Sequence, residues 1–240
     1  MTESTAIPQT FTTMEACMTL AAGTEDQFWA AQEKIGAVVA AQPGFEAVIG
    51  GPIANSRWMY FCGKFSTPDA MNDWYHSPKH KPVMNKAHST WFDAFYIRKW
   101  RRPADGEALD GPLFCETAIV PDAALSDEVH AATVAGLTAT LPTFNAPAFE
   151  TAIGEFEEQP FQFVGPVEEF PQVAPVRYLL ITHWDTEADL KAWLDSPSYA
   201  ELAQLGEVTS QVSVLIRHAA QEREGLNADG SLRSWARAAV

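Results

Sequence analysis

The chain has 240 residues, of which 47% are hydrophobic, 31 are acidic and 16 are basic, so its formal net charge is −15. This acidic balance argues against nucleic acid and anionic membranes as partners, because their phosphate groups would repel the chain. No apolar run approaches the roughly 20 residues that cross a bilayer. The N-terminal stretch lacks a signal-peptide pattern, so we expect a cytoplasmic protein.

The first half of the chain reads as strand, helix, strand, strand, helix, strand. Thr24 and Gln27 have the spacing of a capping box, so the Thr24 hydroxyl is expected to cap a helix that runs to about Ala41. Thr67 and Pro68 then favour the start of a second helix, with threonine as N-cap and proline as the first helical residue. The predicted strands are 15–22, 45–50, 57–65 and 92–100.

Strand 57–65 alternates in a way that predicts its two faces. Trp58, Tyr60 and Lys64 point to one face, and Met59 and Phe61 point to the other. Both faces are largely apolar, so this strand should be covered on both sides.

The second half repeats the first. Segment 57–100 aligns without a gap on 176–219, at a constant offset that places Trp74 on Trp193. An earlier block, 43–50, recurs as 147–154 at a smaller offset, so the second copy carries about fifteen extra residues. The predicted elements of this half are strand 113–120, helix 126–140, strands 149–155 and 177–184, helix 186–207 and strand 211–218.

The order βαββαβ in each half predicts an α+β fold made of two tandem ferredoxin-like units. Each unit leaves one sheet face bare, so we expect the two sheets to pack together as a barrel within one chain. The expected repeats are 12–103 and 112–219, the second with an insertion at 155–175, followed by a tail at 220–240. The insertion is either a packing segment or a lid over an opening of the barrel. A monomer with an internal pseudo-dimer, or a weak homodimer, follows from this arrangement.

Two segments, 66–80 and 88–97, resemble the antibiotic biosynthesis monooxygenase family of dimeric α/β barrels. The matching residues are the helical Trp74, the turn from Ser77-Pro78 to His80, and Trp91 before the last strand. The resemblance implies a cofactor-independent oxygenase that acts on phenolic, quinol-like or polycyclic aromatic molecules. We expect the substrate to bind in a cavity between the two sheets. The haem-degrading branch of the family has a histidine ten residues after the tryptophan and an asparagine in the first strand. This chain has Met84 at the first of these places and no asparagine at 15–20.

Positions that differ between the two copies are the better candidates for chemistry. Lys64 aligns with His183, whereas His80 and His88 align with Tyr199 and Glu207. A histidine can serve as the base that removes a phenol proton near neutral pH, and His183 suits this role by type. The predicted catalytic residues are His183, His80 and His88, and the predicted substrate-binding residues are Trp58, Tyr60, Lys64 and Trp74.

Other interpretations stay open. The pattern favours surface or helix-packing roles for His80 and His88. Alternatively, one of them could be the axial ligand of a haem in a protein that binds flat hydrophobic ligands. A non-catalytic, stress-associated protein is a third reading. No ligand set for a metal accompanies the histidines, because Pro78 separates His76 from His80. The three cysteines lack metal-binding spacing and are expected to be buried and reduced.

Overall fold

The computed structural model of the chain describes residues 12–109, 111–147, 160–170 and 176–216. Within these ranges the protein is α+β, with six α-helices and nine strands that pair in antiparallel fashion. The predicted strand 149–155 and the tail 220–240 lie outside the described residues. No helix in the described part of the chain is long and apolar enough to cross a membrane.

The strands are β1 (Thr12–Leu20), β2 (Phe45–Pro52), β3 (Met59–Phe65), β4 (Phe92–Arg101), β5 (Leu113–Val120), β6 (Phe161–Val164), β7 (Glu168–Phe170), β8 (Tyr178–Trp184) and β9 (Glu207–Leu215). The helices are α1 (Glu25–Ala40), α2 (Pro68–Tyr75), α3 (Lys81–Lys86), α4 (Asp127–Thr140), α5 (Glu187–Leu194) and α6 (Pro197–Glu201). A π-helical turn, Ala87–Trp91, joins α3 to β4.

The helix starts confirm one prediction and correct another. The Thr67 hydroxyl accepts a hydrogen bond from the backbone N–H of Ala70 and caps α2, as predicted. The capping role predicted for Thr24 is wrong. Its hydroxyl lies 2.7 Å from the carbonyl oxygen of Ala21 and 3.2 Å from that of Trp91, so it ties the start of α1 to the start of β4 instead.

The single helix predicted at 186–207 is also wrong. It is broken between α5 and α6, where Pro197 begins a new helix capped by the Ser196 hydroxyl. Gly206 then turns the chain into β9 with φ +158°, and a Cβ at this position would lie 2.2 Å from the carbonyl oxygen of Val120. Only glycine fits such an approach. β9 begins at the next residue, Glu207, and not at the predicted residue 211.

The nine strands form one sheet in the order β6-β8-β5-β9-β4-β1-β3-β2-β7. The first half contributes β4-β1-β3-β2 and the second contributes β9-β5-β8-β6, which is the same relative order of a ferredoxin-like unit. The halves meet where Trp100 of β4 pairs with Leu215 of β9.

The described part of the insertion forms β6 and β7 and joins the halves a second time. Phe170 pairs with Val48 of β2. Further along the same edge, the backbone N–H of Ala54 donates to the carbonyl oxygen of Phe163 at 2.8 Å. Because β6 also pairs with β8, segment 160–170 contacts both halves through backbone hydrogen bonds.

Three apolar cores follow from the alternation of the strands. One lies between the halves and contains Trp58, Tyr60 and Cys62, which confirms the predicted face of β3. Met59 and Phe61 face the second core, under α1–α3 of the first half. The third core lies under α4–α6. All three cysteines are buried and free, as predicted.

Candidate functional site

The seven predicted site residues fall into two groups on opposite faces of the sheet, so they do not form one site. One group lies between the halves and comprises Trp58, Tyr60, Lys64 and His183. The other lies under the helices of the first half and comprises Trp74, His80 and His88. We call them the interface cluster and the helix-side cluster.

The helix-side cluster is built by α2, the following turn and β4. Trp74 is at the end of α2, and the His80 ring stacks on it at a centroid distance of 4.6 Å and an angle of 22°. His88 comes from the π-helical turn and stacks on Phe95 of β4 at 4.2 Å and 12°. Such π-helical turns occur often at functional sites, because the extra residue redirects a side chain.

Both imidazoles of this cluster are neutral at physiological pH. Burial lowers the pKa of His80 to about 4, although a backbone hydrogen bond with Trp74 acts in the opposite direction. Burial also lowers the pKa of His88 to about 4, and the nearby His80 contributes to this shift.

The Nδ1 atom of His80 is buried and has no hydrogen-bond partner among the described residues. In a neutral imidazole one ring nitrogen carries the proton and the other presents a lone pair. When the proton is on Nε2, Nδ1 has the free lone pair that a general base needs.

Two further residues complete the helix-side cluster and were not predicted. Lys99 of β4 places its Nζ 4.1 Å from the centre of the Tyr75 ring and 3.4 Å from Oδ1 of Asn72. Tyr75 is 4% exposed, and its hydroxyl has no partner among the described residues. The buried cation of Lys99 and the neutral imidazole of His80 thus both contact the ring of Tyr75.

The interface cluster contains an ion pair between the halves. Lys64 Nζ lies 2.6 Å from Oε2 of Glu116 and donates to the Thr13 hydroxyl at 3.2 Å. Burial alone would lower the pKa of Lys64, but Cys62 and Glu116 outweigh it and the pKa is raised. Since burial raises the pKa of Cys62 to about 12, that thiol is uncharged, and Glu116 is the partner that keeps Lys64 charged.

The second part of the interface cluster is centred on Glu15, which is fully buried. Trp100 donates to it from Nε1 at 2.6 Å, and His183 Nε2 lies 3.3 Å away. Burial acts to raise the pKa of Glu15, but His183, Arg98 and Trp100 together lower it. Arg98 is 2.7 Å from Nδ1 of His183, and a guanidinium can only donate, so this nitrogen is already used as an acceptor.

Sequence reasoning missed Glu15 and Glu116, although a signal for them exists. Each is a single carboxylate within an apolar strand, in MEACMTL and LFCETAIV. A charge at such a position is rarely buried without a partner. The partners are 52 and 168 residues away along the chain, so the pattern indicates a buried ion pair but not its members.

Neither a family model nor a curated protein sequence matches the chain. Among solved structures, an aldoxime dehydratase resembles it with 11% identity and a TM-score of 0.51, over 86% of this chain and 82% of its own. A protein of Lactobacillus acidophilus NCFM, provisionally described as a monooxygenase, has 12% identity and a TM-score of 0.36, over 86% and 93%.

A third similar structure is an uncharacterized ferredoxin-fold protein of Listeria monocytogenes, described as related to antibiotic biosynthesis monooxygenases. It has 11% identity and a TM-score of 0.28, over 87% of this chain and 96% of its own. At such identities the likeness to the dehydratase shows a shared fold alone, and the two lower TM-scores carry no argument.

Proposed function

We propose that the protein is a cofactor-independent monooxygenase that oxidises a small phenolic, quinol-like or polycyclic aromatic molecule at the helix-side cluster. The observation that carries the proposal is the open Nδ1 of His80, a neutral buried acceptor beside Trp74 and Tyr75. In the interface cluster, by contrast, the polar groups of Tyr60, Lys64 and His183 have partners.

The proposed reaction begins with a proton transfer from the substrate hydroxyl to Nδ1 of His80. An imidazole with a pKa of about 4 is a weak base in the empty site. A phenolate beside it would raise that pKa, because opposite charges stabilise each other in a desolvated site. Lys99, whose Nζ lies over the Tyr75 ring, adds a positive charge that favours the phenolate. The base therefore becomes effective when the substrate is bound.

The anion so formed is electron-rich and supplies the electrons that reduce O2. For a ring methylene in a ketone whose enol tautomer is the phenol, as in anthrone and anthranol, the balanced reaction is CH2 + O2 giving C=O + H2O. The methylene carbon is oxidised, one oxygen atom enters the product, and the other leaves as water. No reductant besides the substrate is required, which agrees with the cofactor-independent chemistry that the sequence resemblance implies.

We also propose that the two halves are tandem copies whose sheets close into one barrel within a monomer. The equal strand order of the halves supports this, and so do their two backbone junctions, at Trp100 with Leu215 and at Ile53 with Val164. The core shared by both halves is then the interior of the barrel.

A haem-binding role is the alternative, with His80 or His88 as the iron ligand. The packing of the helix-side cluster does not fit a macrocycle, because each imidazole already stacks on an aromatic ring. Titration with haemin tests this alternative. We expect no Soret band of a stoichiometric complex at equimolar haemin.

Oxygen uptake with anthrone, whose enol tautomer anthranol carries the required hydroxyl, tests the proposed reaction. His80→Phe keeps a ring on Trp74 but removes the base, so we expect turnover to fall by about 100-fold or more. His76→Phe is the matched control, because His76 is exposed and a phenylalanine can keep its edge-to-face contact with Tyr75. Equal turnover in His80→Phe and wild type, or no uptake above the uncatalysed rate in wild type, would contradict the proposal.

A further inference from the structure

The two halves of the chain carry very different charges. Residues 12–103 contain 10 basic and 8 acidic residues, a net charge of +2, whereas residues 112–219 contain 3 basic and 16 acidic residues, a net charge of −13. The helix-side cluster lies in the first of these halves. A negatively charged ligand is therefore guided toward the half that contains this cluster, because the field of the whole surface acts on it before contact.

The difference is concentrated in the segment that carries His80. Segment 76–86 contains three lysines and no acidic residue, whereas the aligned segment 195–205 contains two acidic residues and no basic one. The second half still forms a helix at this place, α6, so the fold does not need the lysine charges. The lysines and the residues that align with them are Lys79 with Ser198, Lys81 with Ala200 and Lys86 with Leu205.

Lys79 and Lys81 are available to a ligand. Both residues are exposed, and neither forms an ion pair with a described residue. Their Cα atoms are each about 3.8 Å from that of His80, because the two lysines are its neighbours in the chain. Lys86 differs from them, since its Nζ lies 5.2 Å from the centre of the Trp91 ring. Two unpaired cations thus stand at the solvent side of the segment that supplies His80.

We propose that the substrate of the helix-side cluster is an aromatic compound with a carboxylate substituent, which Lys79 and Lys81 bind at the protein surface. This inference rests on the proposed function, because that function places an aromatic ring beside His80. Two lysines are too small a surface for a protein partner, which needs roughly 800 Å². Nucleic acid and anionic membranes are large enough to meet the acidic second half, which repels them. A small organic anion satisfies both limits.

The test compares two fluorescent ligands, 6-hydroxy-2-naphthoate and 2-naphthol, which at neutral pH differ by one carboxylate charge. We expect the full chain to bind the naphthoate about fivefold more tightly than the naphthol at about 0.02 M NaCl. At about 0.5 M NaCl the preference should fall below about twofold, because salt screens exposed charges.

A pair of double variants separates the two lysines from net charge. Lys79→Gln with Lys81→Gln should abolish the preference for the naphthoate. Lys34→Gln with Lys191→Gln is the matched control, because it makes the same change in net charge at two other exposed lysines. This control should keep the preference of the wild type.

Two results would overturn the proposal. The first is equal affinity of the wild type for both ligands at low salt, which is also what lysines that serve a different partner would give. The second is an equal loss of preference in both double variants, which would assign the effect to net charge.

Binding and oxygen uptake distinguish this inference from the proposed function. If the wild type oxidises anthrone but binds both naphthalenes equally, the proposed function stands and the inference fails. If the preference depends on Lys79 and Lys81 but no oxygen is consumed, the anion site stands and the proposed function fails.

Discussion

His80 and His88 have the same low pKa for the same reason, which is the cost of placing a charge among buried aromatic rings. The pKa of each falls from 6.5 to about 4 in the fold. Above pH 6.5 these histidines are neutral in both the folded and the unfolded chain, so they do not make the free energy of unfolding depend on pH. Between pH 6.5 and pH 4 the unfolded chain binds protons that the folded chain does not, so stability decreases as the pH falls.

We predict that the midpoint of thermal unfolding is lower at pH 4.5 than at pH 7.5, and that His88→Phe reduces this difference. Each histidine contributes up to about 3 kcal/mol to the loss. Phenylalanine can keep the stack on Phe95 and has no proton to bind. Thermal scans at both pH values measure the effect. His76→Phe should leave the difference unchanged, and an unchanged difference in His88→Phe would contradict the prediction.

Lys99 has a separate role in the proposed site, because its charge acts on the substrate anion. We predict that Lys99→Met raises the pKa of 2-naphthol bound to the protein, since a buried positive charge favours the phenolate. The absorbance of the naphtholate against pH gives this value directly. Lys86→Met is the control, because Lys86 is exposed and contacts Trp91 instead of Tyr75. The same naphthol pKa in wild type and Lys99→Met would show that Lys99 is only a packing residue.

At the scale of elements, segment 160–170 depends on Gly51 of β2. A Cβ at Gly51 would lie 3.2 Å from Cγ1 of Val164 and 3.3 Å from the carbonyl oxygen of Pro166. We predict that Gly51→Val pushes β6 and β7 away from β2 and costs about 1 to 3 kcal/mol. Hydrogen exchange should rise at 161–170 in this variant. Gly136→Ala is the control, because a Cβ there would meet no atom within 4 Å, and it should neither lower stability nor raise hydrogen exchange. Unchanged hydrogen exchange at 161–170 in Gly51→Val would contradict the prediction.

The elements also show what sequence can and cannot predict. The alternation along β3 correctly separated Trp58, Tyr60 and Lys64, on one face, from Met59 and Phe61, on the other. It could do so because side-chain direction in a strand is a local property. The helix break at Pro197 has a local signal, the Ser196-Pro197 pair, which the prediction overlooked. The close approach of Gly206 to Val120 at the start of β9 depends on another element. For the same reason the pattern grouped His80 with His183, although the sheet separates them.

Tyr75 and Lys99 illustrate the limit for the site. The hydrophobic patterns of α2, which contains Tyr75, and of β4, which contains Lys99, are both explained by packing in the second core. The two residues are close only because α2 and β4 lie side by side in the fold. Only the orphaned polar atoms, which require coordinates, distinguish a binding site from a filled core at this place.

At the scale of the whole molecule, the ion pair between Lys64 and Glu116 is predicted to couple the halves. Lys64→Met leaves Glu116 buried without its partner, which should cost about 3 to 5 kcal/mol. Lys64→Met with Glu116→Met removes both charges and should recover most of that loss. Urea unfolding measures both variants. Arg101→Met is the matched control, because its pair with Glu107 is partly exposed to solvent and should contribute at most about 1 kcal/mol.

A prediction about that coupling fails if the double variant is as unstable as Lys64→Met. Such a result would mean that the shape of the lysine side chain, and not the charge, matters in the shared core. The same conclusion would follow if the stability losses of Lys64→Met and of Glu116→Met, each made alone, added up to the loss in the double variant.

The strand pairs of segment 160–170 also set the order in which the chain can complete its structure during synthesis. All of β1–β4 leave the ribosome before this segment exists, so the outer edge of β2 and the inner face of the first sheet are unpaired for the time needed to make about seventy further residues. An unpaired edge next to apolar side chains invites pairing with another nascent chain. The outer edge of β2 in a nascent chain is therefore open to such pairing until residue 170 has been made.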